Sequence, residues 1–348
     1  MAHDFSPAAT AEAAGQQPSQ LASLWPGLLL SSVIALIAWQ LGRWMPLVGG
    51  PVFGIVLGVA VRNVMAPPTA CQPGIRFAGK QILQWSIVAL GLGLSLTQVA
   101  QTGLSSLSVT LVTVTAAFVA AWLLGRLLGI PSKLKLLIGV GTAICGGSAI
   151  AAATPIIKAD EHETAFAIST IFLFNLIAVL VFPALGHLMH MSDQGFGLWA
   201  GTAINDTSSV VAAGYSYSSA AGDYATIVKL TRATLIIPVC LGLAMIEAWR
   251  HKRSGGDGFS LRRVFPWFIL WFVVASAVRT LGWIPIAWHA DIHLMAEFLI
   301  IVALTAIGLS ADLRRMASTG FRPIALGLGV WVAVAFSSLG VQYLMGQL

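Results

Sequence analysis

Residues 24–345 predict an all-α polytopic membrane protein of about eleven transmembrane helices, with inverted repeats and two broken core helices. Three observations carry this reading. The 348-residue chain is 57% hydrophobic and only 9% charged, whereas ordinary soluble domains carry about 25% charged residues. Runs of about 20 apolar residues follow one another, each long enough at about 1.5 Å per residue to cross about 30 Å of hydrocarbon. Those runs are continuously apolar rather than alternating, which excludes a transmembrane β-barrel and leaves helices.

Taken in order, residues 1–22 contain no Lys or Arg and no apolar core. They lack the parts of a cleaved signal and read as a disordered cytoplasmic tail. Residues 23–348 form one transmembrane domain with spans at 24–42, 46–63, 79–97, 105–126, 133–157, 164–188, 195–215, 224–248, 264–282, 292–312 and 322–345. Cys71, Cys145 and Cys240 have neither metal-like spacing nor a disulfide framework, so no cofactor is expected.

The basic residues orient the chain. With the N-terminus inside, 14 of the 19 Lys and Arg fall in internal loops, Arg43, Lys158 and Arg279 fall outside, and Lys229 and Arg232 lie within a span. Basic residues accumulate in short cytoplasmic loops, so the expected topology is N-terminus in and C-terminus out, in a bacterial inner membrane. The net charge of +6 belongs to loops facing an anionic leaflet and calls for no nucleic-acid partner.

Two segment pairs resemble each other. VALGLGLSLTQVAQTG at 88–103 matches VALTAIGLSADLRRMASTG at 302–320, each running from an apolar helix through Gly-Leu-Ser to Thr-Gly. On the topology above they exit in opposite directions, as inverted repeats of secondary transporters do. GTAICGGSAIAAA at 141–153 matches GTAINDTSSVVAAG at 201–214. Small and polar residues at mid-span predict that both helices break, which membranes tolerate only inside protein or along a cavity. Both GTAI segments nevertheless count as running inside to outside. A span is miscounted, a segment is re-entrant, or the two do not correspond.

Lys229 and Arg232, three residues apart in one apolar helix, share a face. Counted from Asp223 they lie about 9 and 14 Å below the outer boundary, and Asp206, counted from Tyr217, about 16 Å. A charge at such depth is costly and persists when paired, hydrated or functional. Asp206 and Arg232 could form a structural pair, and Lys229 could snorkel outward. The functional reading has two half-helix N-termini, near Gly146, Gly147 and Ser148 and near Asp206, Thr207 and Ser208, aiming N–H groups at a cavity beside these cations. Thr142, Cys145, Thr202 and Asn205 complete the candidate substrate site, and a small oxyanion suits it. Asn175 and Glu297 are packing links or pathway residues, and the KADEHE stretch at 158–163 reads as a solvated face.

The stretches GTAICGGSAIAAATPII, LWAGTAINDTSSVVAAG and ATIVKLTRATLIIPV resemble those of the YeiH-type family of bacterial inner-membrane proteins, over about residues 25–345. That family is labelled as sulfate exporters. At superfamily level MPLVGGPVFGIVLG and VALGLGLSLTQV are similar to early helices of cation–proton antiporters and bile-acid symporters, which implies a panel-plus-core architecture. The chain lacks the late-helix acidic pair of the antiporters.

Three functions follow for testing. The first is a secondary transporter exporting a small anion, with a proton or sodium ion as coupling ion and a homo-oligomer compatible with it. The second is a cation–proton antiporter using Asp206. The third is an intramembrane enzyme with Ser148 or Cys145 as nucleophile, disfavoured because spans five, seven and eight hold no His away from their ends. An ATP-driven pump is disfavoured by the missing phosphate-loop motif.

Overall fold

The computed structural model describes residues 23–45, 48–250, 266–314 and 320–347. The tail at 1–22, the basic loop at 251–265 and residues 315–319 of the second Gly-Leu-Ser repeat lie outside the described residues. The described chain is helical throughout. It begins with α1 (Trp25–Trp44) and α2 (Gly49–Met65), followed by α3 (Gln72–Phe77), a π turn (Ala78–Ile82) and α4 (Leu83–Gly91). Next come α5 (Leu96–Ser105), α6 (Leu107–Leu127), α7 (Ser132–Ala143), α8 (Gly147–Ile157), α9 (Glu161–Leu188), α10 (Asp193–Ala203) and α11 (Thr207–Tyr217). The remainder is α12 (Ser219–Thr234), α13 (Ile236–Arg250), α14 (Trp267–Thr280), α15 (His289–Ser310) and α16 (Phe321–Leu344).

Among the described residues, six helices are long and apolar enough to cross a membrane, or seven if the pair Thr69–Gly91 and Leu96–Ser105 counts as one span. That pair is bent by 107°. Ser95 ends the approach by accepting from the Gln98 N–H at 3.2 Å, so α5 starts as a separate capped helix. The span expected at 79–97 therefore turns before its end.

The largest departure concerns the spans expected at 133–157 and 195–215. Each breaks near its middle, as the glycines and polar residues indicate, but neither continues onward. Lys133 Nζ donates to the Lys158 carbonyl at 2.6 Å. Twenty-five residues of straight helix would hold those positions about 38 Å apart, so α7 and α8 form a hairpin. Likewise the Ser218 hydroxyl donates to Asp193 Oδ1 at 2.6 Å, the Tyr217 hydroxyl donates to the Met191 carbonyl, and the Tyr217 and Phe196 rings stack at 4.0 Å. The segment α10–α11 is a second hairpin. The expectation that both run inside to outside is corrected: each leaves where it entered, and its arms of 11 or 12 residues reach about 17 Å, half a bilayer.

The helices sort into two bodies. In one, α2 packs along α1 and α15, and α15 and α14 pack on α4. Gly58 and Gly308 bring α2 and α15 together: a Cβ on Gly308 would stand 2.4 Å from the Ile55 carbonyl oxygen. Arg62 pairs with Asp312 at 3.4 Å and Asn63 bonds the Ala311 carbonyl at 3.0 Å, tying the far ends of these two helices. In the other body both hairpins pack on α9, α12 lies along α10 and α11, and α16 lies on α6. The main hydrophobic core lies mostly in this second body, joined by Ile87 of α4 and by Ile269 and Phe272 of α14.

Candidate functional site

The hairpin tips meet inside the second body. Tip one, Ile144–Gly146, turns at Gly146, whose φ of +68° and ψ of −126° suit a residue without Cβ. A Cβ there would stand 3.3 Å from that of Asp206, so the tips are in contact. Tip two, Ile204–Asp206, breaks because its Asn, Asp, Thr and Ser side chains bond the backbone locally. Asp206 is the N-cap of α11: its Oδ2 accepts from the Ser208 N–H at 2.9 Å and from the Ser208 hydroxyl. The Asp206 N–H donates to Asn175 Oδ1 on α9 at 3.2 Å.

Both cations of α12 point at these tips. Lys229 and Arg232 are fully buried. Lys229 Nζ donates to the carbonyls of Ile144 at 2.7 Å and Ile204 at 3.0 Å, one from each tip. Arg232 Nε donates to the Ala143 carbonyl at 2.6 Å, and its two terminal nitrogens donate to the carbonyls of Thr202 and Thr142. The last carbonyls of a helix have no partner within it and carry the negative end of its dipole. The ends of α7 and α10 thus receive inside the protein what water supplies at a surface.

This geometry decides several expectations. Lys229 does not snorkel, and Arg232 spends Nε and both terminal nitrogens on carbonyls rather than on the Asp206 carboxylate. Neither cation stands at the helix N-termini, where the sequence placed them as ligands for a substrate; they stand at the C-termini. Thr142 and Thr202 enter through their carbonyls. The Thr202 side chain faces α16, with its hydroxyl 2.7 Å from that of Ser338. Asn205 is buried with both side-chain polar atoms lacking a partner, as is the Thr142 hydroxyl. Cys145, Thr207 and Ser208 are buried, Gly147 is half-buried and Ser148 is exposed.

A cavity of about 630 Å³ approaches the first tip without being lined by it. Arg62, Arg76, Asp160, Glu161 and Asp312 line its mouth, and Thr164, Ile168 and Phe172 carry its wall along α9. Phe172 is 4.0 Å from where a Cβ on Gly147 would lie, so the cavity lining on α9, which begins at Glu161, ends about 17 Å further along beside the start of α8. These lining residues escaped the sequence reading, which put Arg62 and Asp160 on opposite faces. Asp160 and Glu163 of the KADEHE stretch form a reciprocal capping box at the start of α9.

The two helices that begin at the tips differ. Aligning GTAIN-D with GTAIC-G sets Asp206 opposite Gly146. The first N–H groups of α11 have a carboxylate, whereas α8 has no side-chain cap. That end, at Gly147 and Ser148, is the part of the site next to the cavity.

Comparison with known proteins finds relatives named as membrane proteins. The model of a family described as Conserved hypothetical protein 698 matches residues 26–327. The chain is 42% identical to a UPF0324 membrane protein of Fusobacterium nucleatum subsp. nucleatum, over 92% of this chain and 98% of that one. It is 44% identical to one from Streptococcus pyogenes serotype M6 and 43% identical to one from Streptococcus mutans serotype c, each alignment covering 92% of this chain and 97% of the relative. On motifs, helical architecture and these alignments together, the chain belongs to the UPF0324 family of membrane proteins, the YeiH-type family that its sequence resembles.

Proposed function

We propose that this protein is a secondary transporter that exports a small anion across the bacterial inner membrane. The observation that carries the reading is the N-terminus of α8, which has no N-cap side chain and lies against Phe172 of the cavity wall. Helix N-termini bind anions through free N–H groups and about half a positive charge. At α11 that need is met by Asp206; at α8 an oxyanion or carboxylate from outside would meet it. Charge balance points the same way. Two buried cations, one carboxylate and two opposed pairs of helix ends sum to about +1, so one negative charge neutralises the site. Lys229 and Arg232 serve by holding the tips in register and setting that charge, and the chemistry is transport rather than covalent catalysis.

In this reading the chain crosses the bilayer nine times and enters it twice more as hairpins, instead of crossing eleven times. Hairpin one enters from the cytoplasm and hairpin two from outside, which makes them antiparallel. Lys158 moves to the inner face, so 15 Lys and Arg lie inside and only Arg43 and Arg279 outside, in better accord with the distribution of positive charge. The cavity then opens to the cytoplasm, the loading side of an exporter. Single cysteines at Lys133→Cys and Lys158→Cys should both react with a membrane-impermeant maleimide from the cytoplasmic face only. Labelling from opposite faces would sink the hairpin topology.

The decisive functional experiment is flux in proteoliposomes, with binding measured by thermal shift against sulfate, other oxyanions and carboxylates. Flux of one anion class, with a matching shift, is expected; no flux under any gradient and no shift would end the proposal. One observation favours a second reading, cation–proton exchange: Asp206 is half-buried rather than sealed. Asp206→Asn separates the two, since cation exchange would vanish with it, whereas anion binding at α8 would persist.

A further inference from the structure

A packed apolar seam closes the two bodies against each other at the end opposite the cavity. Val52 and Ile55 of α2 and Ala296, Ile300 and Leu304 of α15 pack with Val211, Ala212 and Tyr215 of α11. At its rim the seam turns polar. The Tyr215 hydroxyl donates to Asp223 Oδ1, and His293 Nε2 of α15 stands 3.9 Å from the same oxygen. The His293 and Tyr215 rings meet edge-on with centroids 6.1 Å apart. The side chains of His293 and Asp223 are 30% and 21% exposed, so both touch water.

One carboxylate therefore joins a phenol of one body to an imidazole of the other. With the imidazole protonated, the 3.9 Å contact across the seam is an ion pair, and with the imidazole neutral the attraction of full charges is gone. Imidazoles ordinarily change charge between about pH 5 and 8. Glu297, one turn along α15 from His293, is the other ionisable group near enough to act on both His293 and Tyr215. From α2 the seam receives only apolar side chains, and α5, which packs on α12, has no titratable residue.

We propose that Tyr215, Asp223 and His293 form a proton-operated latch that holds the two bodies together at this end. The latch is mechanically tied to the tips. Helix α11 runs from the Asp206 cap to Tyr215, and α12 carries Asp223 together with Lys229 and Arg232. Losing the proton loosens α11 and α12 from α15 as a unit. Its use in alternating access rests on the transport reading; its response to protons does not.

The test needs no substrate. In full-length protein with Cys71→Ala, spin labels at Ser219→Cys and Asp291→Cys report the distance between α12 and α15 by pulsed electron resonance. A short distance is expected at pH 5, with a longer population growing by severalfold towards pH 8. His293→Gln should show the long population at every pH, and His293→Lys, whose charge does not titrate in this range, should keep the short one at pH 8. A wild-type distance that ignores pH, or a His293→Gln variant that keeps the wild-type response, would overturn the latch. Failed anion flux would leave this result untouched, so the two proposals fail separately.

Discussion

Gly147→Asp should abolish anion binding while leaving the protein folded. The substitution puts a carboxylate in the first turn of α8, one residue beyond the position that corresponds to Asp206 in α11, where the proposed ligand sits. Space is available: a Cβ at Gly147 meets only the Phe172 ring, 4.0 Å away. The backbone is that of an ordinary first helical turn, where an acidic side chain contributes about 0.3–1 kcal/mol. Stability should therefore hold or rise slightly, while affinity falls by about 100-fold or more, since a tethered carboxylate competes at an effective concentration in the millimolar range or above. Gly147→Ala is the control, adding the methyl without the charge, and should bind within a fewfold of wild type. Titration calorimetry with the anion found by flux decides the matter. Wild-type affinity in Gly147→Asp would place the ligand elsewhere.

The second large effect is on stability. Arg232→Met should cost several kcal/mol, because it strands the carbonyls of Thr142, Ala143 and Thr202 where no water reaches them. A buried polar group left without its partner costs about 1–3 kcal/mol, and three are exposed together. Arg232→Lys keeps the charge but not the planar reach to two helix ends, so it should recover part of the loss. Thermal unfolding in detergent would show the order wild type, Lys, Met. Hydrogen exchange should rise first at residues 142–146 and 202–206. An Arg232→Met protein as stable as wild type would mean that these contacts do not hold the hairpins.

The sequence disclosed where the helices break but not which way they go afterwards. Gly146-Gly147 and Asn205-Asp206-Thr207-Ser208 weaken a helix by known local chemistry, and the breaks fall there. Hydropathy, in contrast, measures apolar length and not direction: about 25 apolar residues suit one crossing or two half-length arms equally. The warning signs were Lys158 stranded on the outer face and two GTAI segments pointing the same way, and both vanish once the segments fold back. The role of Lys229 and Arg232 was hidden for another reason. Their partners are backbone carbonyls, which every residue has, so no side-chain motif announces them. Their burial inside the protein was legible, because both lie in the one apolar helix α12 that starts at the capping Ser218. The repeat pairs were a weaker guide. They occur in opposite order, 88–103 before 141–153 but 201–214 before 302–320, so one tandem duplication does not generate both.

The half-length hairpin arms also shape the electrical profile of the protein. Where water fills the cavity as far as Phe172, the insulating layer thins from a whole bilayer to the tips and the apolar seam beyond them. The resting voltage then drops across that remaining part instead of evenly over about 30 Å. Under the transport reading, an anion at Gly147 would have crossed little of the potential, and passing the tips and the opened seam would carry it through the rest, worth about 2.3 kcal/mol per charge per 100 mV. With a negative interior that work drives anions outward, so the cell's own polarisation becomes a source of power for export.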